Sequence, residues 1–268
     1  MVVFPNAKIN LGLNVVSRRK NGYHNLETVF YPIPLKDILE IVPSNELQTT
    51  FSSSGISIPQ NGDLNLVERA YLQIQEKYKI PNARIHLHKV IPIGAGLGGG
   101  SSDAAFAINL INDIYELKMT LEERLAIAKS LGADCPFFIN NTPVYAQGIG
   151  DEFSPIELDL TGYYLWLVNP GIHVSTASAY NGIIPKESEV DLKQILANEP
   201  INSWKDNVTN DFEKSVFKTH PEILEIKNKL YQKGALYACM SGSGSSVFGV
   251  FKSEPTGEFE CSNWKLAL

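Results

Sequence analysis

The stretch that decides the fold is "IPIGAGLGGGSSDAA", residues 91–105, which places five glycines within seven positions. Glycine inside a regular element costs about 0.5–1 kcal/mol relative to alanine, so such a cluster indicates backbone that approaches another group closely. Before it, "ARIHLHKVI" alternates apolar and polar side chains up to Ile91, which predicts a strand that enters the glycines. After it, "SSDAAFAINLINDIY" predicts a helix with Ser101, Ser102 or Asp103 as its N-cap.

A strand-to-helix loop of this kind suits an anion, because free N–H groups and the helix dipole both favour negative charge. We therefore predict a phosphate site, although other interpretations compete. A P-loop is excluded because no lysine follows the glycines. A dinucleotide fingerprint is matched by Gly94, Gly96 and Gly99, but the helix after the loop leads into a second helix instead of a strand. A packing turn without a ligand does not account for so many glycines before Ser-Ser-Asp.

Other predicted elements surround this loop. "KINLGLNVV" and "NGYHNLETVFYPI" are predicted to be extended and to pair like a hairpin, and a helix is predicted over residues 64–79. Thr120 and Glu123 form a capping box for a helix that ends near Gly132. Beyond Gly150, the predicted strands "YYLWLVNP" and "ACMSGSGSSVFGVF" enclose a helix over residues 221–233. The change of pattern predicts a domain boundary near residues 150 to 160, which gives domains of residues 1–155 and 156–268.

The composition limits the class of protein. The chain has 268 residues, of which 44% are hydrophobic and 19% charged, as in folded soluble proteins. A net charge of -6, with both signs interspersed, argues against nucleic acid or an anionic membrane as a partner. No run approaches the ~18 consecutive apolar residues of a membrane span, and the N-terminus lacks the pattern of a signal peptide. Three widely spaced cysteines argue against disulfides and a zinc site, so we predict a cytoplasmic protein.

Five motifs occur in a fixed order between Ala7 and Gly249: "AKINLGLNV", "NGYHNLETVF", "GLGGGSSDAA", "LGADCPFF" and "SGSGSSVFG". The glycine loop among them resembles the phosphate-binding loop of the GHMP kinase superfamily, the ATP-dependent kinases of small molecules. The first two motifs are more specific. They resemble the branch that phosphorylates the 2-hydroxyl of a cytidine diphosphate-linked methylerythritol, in the non-mevalonate (methylerythritol phosphate) pathway of isoprenoid and terpenoid biosynthesis.

The resemblance implies a fold, cofactors and partners. The expected fold is α+β, with an N-terminal ribosomal-protein-S5-like domain, a C-terminal ferredoxin-like domain and the active site between them. ATP and Mg²⁺ are the implied cofactors, and the partner is a small-molecule substrate, with no nucleic acid and no membrane. A monomer or a weak homodimer is expected. Two alternatives stay open: another GHMP kinase with a different sugar or alcohol, and a nucleotide-binding regulator that has lost phosphoryl transfer.

The resemblance also implies an ATP site. Its expected residues are Gly94, Ala95, Gly96, Leu97, Gly98, Gly99, Gly100, Ser101 and Ser102. Asn65 resembles the asparagine near the adenine, although an asparagine at a helix start is also a common N-cap. No magnesium ligand is assigned, and Glu27 and Asp103 are open candidates. His86 and His88 lack a third ligand nearby, and we interpret them as solvated.

For catalysis, the resemblance implies Asp134 as the base or hydroxyl-orienting group and Lys8 as its electrostatic partner. The residues alone leave alternatives open. Asp134 is equally well an N-cap ahead of Pro136, and Lys8 is by default a solvated edge lysine. Cys135 is not interpreted as a nucleophile, because no motif places a histidine beside it.

The expected substrate-binding residues are Asn10, Tyr23, His24, Thr176, Tyr180, Gly242 and Ser243. In the resembling enzymes, the residue at His24 reads the cytosine edge, the one at Tyr23 stacks on the base, and the one at Tyr180 supplies the opposite face. Without the resemblance, Tyr23 and His24 are ordinary strand residues. "SGSGSS", residues 241–246, is then a hairpin turn or a bulge.

Overall fold

The computed structural model describes residues 1–59, 62–180, 182–188 and 190–268. Packing divides the chain into two compact units, each assembled from several segments. The first unit consists of Met1–Ala7, Leu35–Ile93 and Gly98–Thr142, and the second of Lys8–Pro34, Gly94–Leu97 and Pro143–Leu268. The predicted division into residues 1–155 and 156–268 stays a prediction.

The first unit contains a four-stranded sheet. Its strands, in the order β1-β4-β6-β5, are β1 (Val2–Val3), β4 (Ile38–Ser44), β6 (Asn82–Lys89) and β5 (Thr50–Gly55). β6 pairs antiparallel with β4 and parallel with β5. Ala83, Ile85 and Leu87 alternate as buried residues along β6, which confirms the predicted strand. The strand ends at Lys89, before the predicted end at Ile91.

The helices described in the first unit are α1 (Leu66–Tyr78), α2 (Gly99–Ile114), α3 (Leu121–Leu131) and α4 (Cys135–Asn140). Of these, α1 and α3 begin where the capping signals place them. Asn65 caps α1, and Thr120 caps α3 in a capping box with Glu123. Both helices were predicted and are confirmed, because a capped first turn satisfies N–H groups that otherwise lack partners.

The second unit contains most of a four-stranded sheet in the order β2-β3-β7-β8. The start of β2 and the end of β3 lie close to the limits of this unit. The strands are β2 (Asn6–Arg18), β3 (His24–Lys36), β7 (Val144–Gln147) and β8 (Glu152–Pro155). β2 and β3 are neighbours, and a turn through Gly22 joins them with a hydrogen bond from Arg19 N to Tyr23 O of 2.7 Å. The predicted pairing of the two N-terminal strands is therefore confirmed.

A further sheet of this unit is antiparallel, with its strands in the order β10-β11-β9-β12. These are β10 (Tyr237–Met240), β11 (Val247–Phe251), β9 (Tyr164–Asn169) and β12 (Ser262–Ala267). Helices accompany it: α5 (Thr176–Ala179), α6 (Leu192–Asn198), α7 (Trp204–Asn207), α8 (Phe212–Thr219) and α9 (Pro221–Gln232). The mixture of helices and sheets confirms the predicted α+β class.

The hydrophobic core of the second unit joins distant parts of the sequence. Leu13 and Val15 of β2 lie in one buried cluster with Trp166 and Val168 of β9 and Phe212 of α8. The strand period of two directs Leu13 and Val15 to the same face, where they meet the buried face of β9. In the described part of the chain, no helix is both long and apolar enough to cross a membrane.

Candidate active site

The glycine loop owes its shape to left-handed backbone. Gly94, Gly96 and Gly98 have φ angles of 64°, 79° and 68°. Between them, the side chains of Ala95 and Leu97 are 4% and 1% exposed and anchor the loop. At Gly96 an added Cβ atom would lie 1.9 Å from the carbonyl oxygen of Ser241. Both the φ angle and the lack of space therefore require glycine at this position.

Helix α2 begins earlier than the sequence predicts. Gly98, in the left-handed conformation, precedes its first residue, Gly99. Ser101, Ser102 and Asp103 all lie inside the helix, so the prediction that one of them caps it is wrong. The reason is that the left-handed conformation of Gly98 starts the helix, so that, among the described residues, its N-cap position offers no capping side chain.

This helix start fits a nucleotide phosphate. No side chain of the N-cap residue, Gly98, caps its first N–H groups, and such groups bind anions well. The hydroxyl of Ser102 is fully buried and has no hydrogen-bond partner in the described part of the chain. A buried hydroxyl without a partner is uncommon, and a bound phosphate group would supply one.

A buried ion cluster lies beside the start of α2. Lys89 Nζ donates to Asp103 Oδ2 at 2.8 Å and to Asp37 Oδ2 at 2.5 Å. The other oxygen of Asp37 accepts bonds from the backbone N–H groups of Val90 and Ile91. Burial raises the pKa of Asp103 to about 7, against the opposing effect of Lys89, and the nearby Asp37 carboxylate raises it further. Asp103 Oδ2 is thus held by Lys89, while Oδ1 is buried with no hydrogen-bond partner among the described residues. A magnesium contact of Asp103 stays a prediction.

Lys8 lies on β2 and is buried. Its side chain is 4% exposed, and Nζ donates to Asn10 Oδ1 at 2.6 Å and to the carbonyl oxygen of Gly96 at 3.2 Å. The ammonium also lies 4.8 Å from the ring centroid of Phe30, within the range of a cation–π contact. The alternative of a solvated edge lysine is therefore excluded, and Lys8 is brought to the glycine loop.

The Gly-Ser turn of residues 241–246 packs on the same loop. Ser241 Oγ donates to the carbonyl oxygen of Gly96 at 2.8 Å, and Ser246 N donates to that of Ala95 at 3.3 Å. An added Cβ atom on Gly242 would lie 3.2 Å from Gly96 Cα. Asn210 Nδ2 donates to the carbonyl oxygens of Met240 and Gly242, both at 2.8 Å, and holds the turn. The Gly-Ser turn therefore lies directly against the glycine loop.

Asn10 is fixed inside this network. Its side chain is 2% exposed, and while Oδ1 accepts from Lys8, Nδ2 donates to Thr28 Oγ1 at 3.0 Å. Its backbone N–H donates to Ser241 Oγ at 3.1 Å. The expected contact between Asn10 and substrate stays a prediction.

Asp134 belongs to the first unit, at the junction of α3 and α4. It occupies the N-cap position of α4, with Pro136 in the first turn, but its side chain makes no capping hydrogen bond to the described residues of the helix. Burial raises the pKa of the neighbouring Cys135 thiol to about 11, so this cysteine stays protonated and is a poor nucleophile. The pairing of Asp134 with Lys8 stays a prediction.

Asn65 is the N-cap of α1. Its Oδ1 accepts from Val67 N at 2.9 Å, and its own N–H donates to Glu68 Oε2 at 3.0 Å. The structure therefore confirms that Asn65 is an N-cap, which the sequence analysis gave as one of its two interpretations. The contact with adenine stays a prediction.

The expected cytosine-binding residues form a stack of their own. The rings of His24 and Tyr180 have centroids 4.5 Å apart and planes 15° apart. Tyr180 also meets Phe212 edge-on, while Tyr23 is 61% exposed. Burial, and then the charge of Arg18, lower the pKa of His24, which keeps the imidazole neutral at pH 7. The structure brings His24 and Tyr180 together, and the clamp formed by Tyr23 and Tyr180 stays a prediction.

Residues 170–180, which include the expected substrate-binding residues Thr176 and Tyr180, meet the Gly-Ser turn at hydroxyl groups. Thr176 Oγ1, in the first turn of α5, lies 3.4 Å from Ser243 Oγ. Ser245 Oγ donates to the carbonyl oxygen of Ile172 at 2.6 Å, which ties the segment to the turn. The substrate contacts of Thr176, Gly242 and Ser243 stay predictions.

Some residues of this region were missed by the sequence reasoning. Thr28 and Ser241 bond to Asn10, and His173 Nδ1 lies 3.6 Å from the Cβ position of Gly94. Strand periodicity offered one signal, because Thr28 follows His24 by four residues and so belongs to the same face of β3. Ser241 lies inside a quoted motif and His173 lies outside all of them, and nothing in the sequence distinguishes either residue from its neighbours.

The described residues contain no group of three or more His, Cys, Asp or Glu side chains that could hold a metal ion. His86 and His88 instead share hydrogen bonds with Ser52 and Ser54 at 2.9 Å. Magnesium bound with a nucleotide needs only one or two protein carboxylates, because phosphates and water complete its coordination. A magnesium ion that arrives with ATP stays a prediction.

Comparison with known proteins identifies the family. The sequence profile "GHMP kinases N terminal domain" matches residues 65–141, and the profile "GHMP kinases C terminal" matches residues 191–267. A 4-diphosphocytidyl-2-C-methyl-D-erythritol kinase of Parabacteroides distasonis is 55% identical over 96% of this chain and 93% of its own length. A kinase of the same name from Cytophaga hutchinsonii is 51% identical over 95% of this chain and 94% of its own.

Solved structures agree. The crystal structure of a 4-(cytidine 5'-diphospho)-2C-methyl-D-erythritol kinase matches with a TM-score of 0.78 and 33% identity, over 93% of this chain and 90% of that one. The homoserine kinase of Cytophaga hutchinsonii matches with a TM-score of 0.67 and 17% identity, over 92% and 85%, and supports the fold alone. The chain belongs to the GHMP kinases, in the group formed by the 4-diphosphocytidyl-2-C-methyl-D-erythritol kinases.

Proposed function

We propose that this protein transfers the γ-phosphoryl group of ATP to the 2-hydroxyl of 4-diphosphocytidyl-2-C-methyl-D-erythritol, as a step of isoprenoid biosynthesis. The observation that carries the proposal is that Lys8 and Ser241 donate to the same loop carbonyl, that of Gly96. Phosphoryl transfer depends on positioning and electrostatics, so it needs a positive charge held beside the loop that binds the phosphates. The acceptor is the compound in the printed name of the relatives, one of which is 55% identical to this chain.

The proposed ATP site is the loop Gly94–Gly100 with Ser101 and Ser102. Its support is the uncapped start of α2 and the buried hydroxyl of Ser102, which both offer hydrogen-bond donors to phosphate oxygens. Asn65 contacts the adenine in this proposal. Magnesium neutralises charge on the triphosphate when it is bound. Glu27 and Asp103 both stay candidate ligands, and one oxygen of Asp103 also accepts a hydrogen bond from Lys89.

In the transfer step, the 2-hydroxyl oxygen bonds to the γ-phosphorus while the bond from that phosphorus to the bridging oxygen breaks, and ADP leaves. Asp134 orients the hydroxyl and takes its proton. Lys8 offsets the negative charge that the transferred group carries. Its burial supports this role, because a charge acts more strongly where little water screens it.

The proposed acceptor site uses Asn10, Tyr23, His24, Thr176, Tyr180, Gly242 and Ser243. A neutral His24 offers one donor and one acceptor, which suits the edge of a cytosine. Tyr23 and Tyr180 offer aromatic faces for stacking. Because the ring of His24 already stacks on Tyr180, this proposal requires one of the two side chains to turn when the base binds.

We also propose a cytoplasmic location and a monomer or weak homodimer without a nucleic acid or membrane partner. The described cysteines are free thiols, which suit a reducing compartment. The net charge of -6 disfavours binding to polyanions. Sedimentation velocity over a range of protein concentrations measures the oligomeric state directly.

The experiment that tests the function is a coupled ADP-release assay with ATP and magnesium. It compares 4-diphosphocytidyl-2-C-methyl-D-erythritol with the same alcohol lacking its cytidine. Turnover with the cytidylated compound alone supports both the kinase and the nucleotide requirement. Turnover with neither, while ATP still binds, would indicate a different acceptor alcohol or a regulator built on a kinase fold.

A further inference from the structure

Thr28 lies at the far end of a chain of hydrogen bonds that begins at Lys8. Lys8 Nζ donates to Asn10 Oδ1 at 2.6 Å, Asn10 Nδ2 donates to Thr28 Oγ1 at 3.0 Å, and Thr28 Oγ1 donates to the carbonyl oxygen of Gly12 at 2.5 Å. The side chains of Lys8, Asn10 and Thr28 are 4%, 2% and 1% exposed. Water is therefore not available to replace a lost partner.

The direction of this chain follows from the chemistry of its two ends. A lysine ammonium only donates, so it must face the oxygen of the Asn10 amide. The NH₂ group of Asn10 then points to Thr28, whose hydroxyl must accept from it. That hydroxyl has a proton left to donate, and the carbonyl of Gly12 receives it. Each member therefore fixes the orientation of the next one.

Loss of the Thr28 hydroxyl would leave the NH₂ group of Asn10 buried without its acceptor, a state that proteins avoid. The amide would then move toward another acceptor for its NH₂ group, and its oxygen would move with it and lengthen the hydrogen bond from Lys8 Nζ. The contact of the ammonium with the Gly96 carbonyl, at 3.2 Å, would lose the support of a fixed Asn10 side chain. Thr28 itself is separated from Lys8 by the whole Asn10 side chain.

We propose that Thr28 is a positioning residue, which holds the Asn10 amide in one orientation and through it fixes the ammonium of Lys8 beside Gly96. This inference rests on the proposed function, since it gives Lys8 its electrostatic task. Thr28 lies on strand β3 and is not among the residues expected from the sequence. Its hydrogen bonds go to Asn10 and Gly12, so it acts on Lys8 only through Asn10.

The test compares Thr28→Val, which keeps the shape and removes the hydroxyl, with Thr28→Ser, which keeps the hydroxyl. Thr50→Val, the same change in strand β5, is the matched control. We expect Thr28→Val to lower kcat by at least ~10-fold with KM for ATP changed less than about twofold, because a displaced charge harms the transfer step more than binding. Thr28→Ser should restore kcat to within about threefold of the parent, and Thr50→Val should match the parent.

Crystal structures of both Thr28 variants provide a readout that does not depend on the acceptor. Lys8 Nζ should leave Asn10 Oδ1 in Thr28→Val and stay within hydrogen-bond distance in Thr28→Ser. An unmoved Lys8 in Thr28→Val would overturn the inference, as would equal kcat losses in both variants with equally lowered melting temperatures. If the parent protein does not turn over the acceptor at all, the proposed function fails, and the two structures alone decide the role of Thr28.

Discussion

At the scale of single residues, Lys8 and Asp134 reach their places by different means. Lys8 is buried on a strand, where it bonds to Asn10 and to the carbonyl oxygen of Gly96. Gly96 is 88 residues away in the sequence. Asp134 follows the end of α3 and occupies an N-cap position whose helix its side chain does not cap within the described residues. The position of Lys8 thus depends on a contact distant in sequence, and that of Asp134 on the local junction of two helices.

The pairing of these two residues makes a testable prediction. Lys8→Met and Asp134→Asn should each lower kcat by at least ~10²-fold while ATP binding changes little, because each removes a group that acts in the transfer step. If the two act as one unit, the double variant should be no slower than the slower single variant. Single-turnover kinetics measures the transfer step, and Lys20→Met is an exposed control. Additive losses would separate the two residues.

Tyr180 allows a second prediction about the acceptor. Tyr180→Ala should raise KM for the cytidylated acceptor by at least ~5-fold, because stacking contributes about 1–3 kcal/mol per base. Tyr180→Phe keeps the ring, so its KM should stay within about twofold of the parent. Initial rates at varied acceptor concentration measure both constants. An unchanged KM in Tyr180→Ala would remove Tyr180 from the base site.

At the scale of elements, short-range signals predicted more than long-range ones could. The capping boxes of α1 and α3 lie within four residues, and both helices begin where these signals indicate. The start of α2 was placed too late because the left-handed conformation of Gly98 is invisible in sequence, and because Asp103 binds Lys89 instead of capping. The burial of Lys8 also escaped prediction, since it depends on a turn that is distant in sequence.

The glycine loop gives the third prediction, on stability. Gly96→Ala should lower the free energy of unfolding by at least ~2 kcal/mol, because left-handed backbone costs about 1–2 kcal/mol for alanine and the Cβ atom collides with Ser241 O. Gly100→Ala is the matched control inside α2, where an added Cβ atom meets its nearest neighbour only at 3.9 Å. It should be neutral or stabilising by up to ~1 kcal/mol. Urea unfolding measures both, and equal effects would contradict the account of the loop.

The buried cluster of Lys89, Asp37 and Asp103 gives the fourth prediction. Burial raises the pKa of Asp103 from 3.8 to about 7, so the folded protein holds a proton that the unfolded chain releases. The resulting stability is complete below the unfolded pKa and is lost as the pH rises through about 7. The free energy of unfolding should therefore fall between about pH 4 and pH 7, by at most ~1.4 kcal/mol per pH unit from this group, and this contribution should level off above that range.

Asp103→Asn should flatten this pH dependence, because the amide does not titrate. Asp113→Asn, an exposed position of the same helix, should keep the slope of the parent protein. Urea unfolding at several pH values measures the slopes. Identical slopes in the parent and Asp103→Asn would show that Asp103 is ionised throughout the range.

At the scale of the whole molecule, the two compact units do not follow the order of the chain. The second unit takes Lys8–Pro34 from the N-terminal part and combines it with Pro143–Leu268. Composition and motif order predicted two domains and the α+β class, because both predictions depend only on the pattern of short stretches of the sequence. They could not show which early strands join the C-terminal part, since that depends on contacts such as Leu13 N to Thr209 O at 2.8 Å.

This arrangement makes the fifth prediction, about fragments. Residues 156–268 alone lack Leu13 and Val15, which lie in the core cluster with Trp166 and Phe212. They also lack the hydrogen bond from Val15 N to Asp211 Oδ2 at 2.7 Å. Because the cluster would be left open to water where β2 now packs, this fragment should unfold without a cooperative transition.

Calorimetry of three samples measures this expectation: the full chain, residues 156–268 alone, and residues 1–155 co-expressed with residues 156–268. Only the full chain and the co-expressed pair should show a cooperative transition, since both contain β2 with its partners. A cooperative transition in residues 156–268 alone would mean that the C-terminal part folds independently of β2 and β3. In that case the boundary near residue 155 would mark a true folding domain, and the core contacts of Leu13 and Val15 would be additions to a core that is already stable.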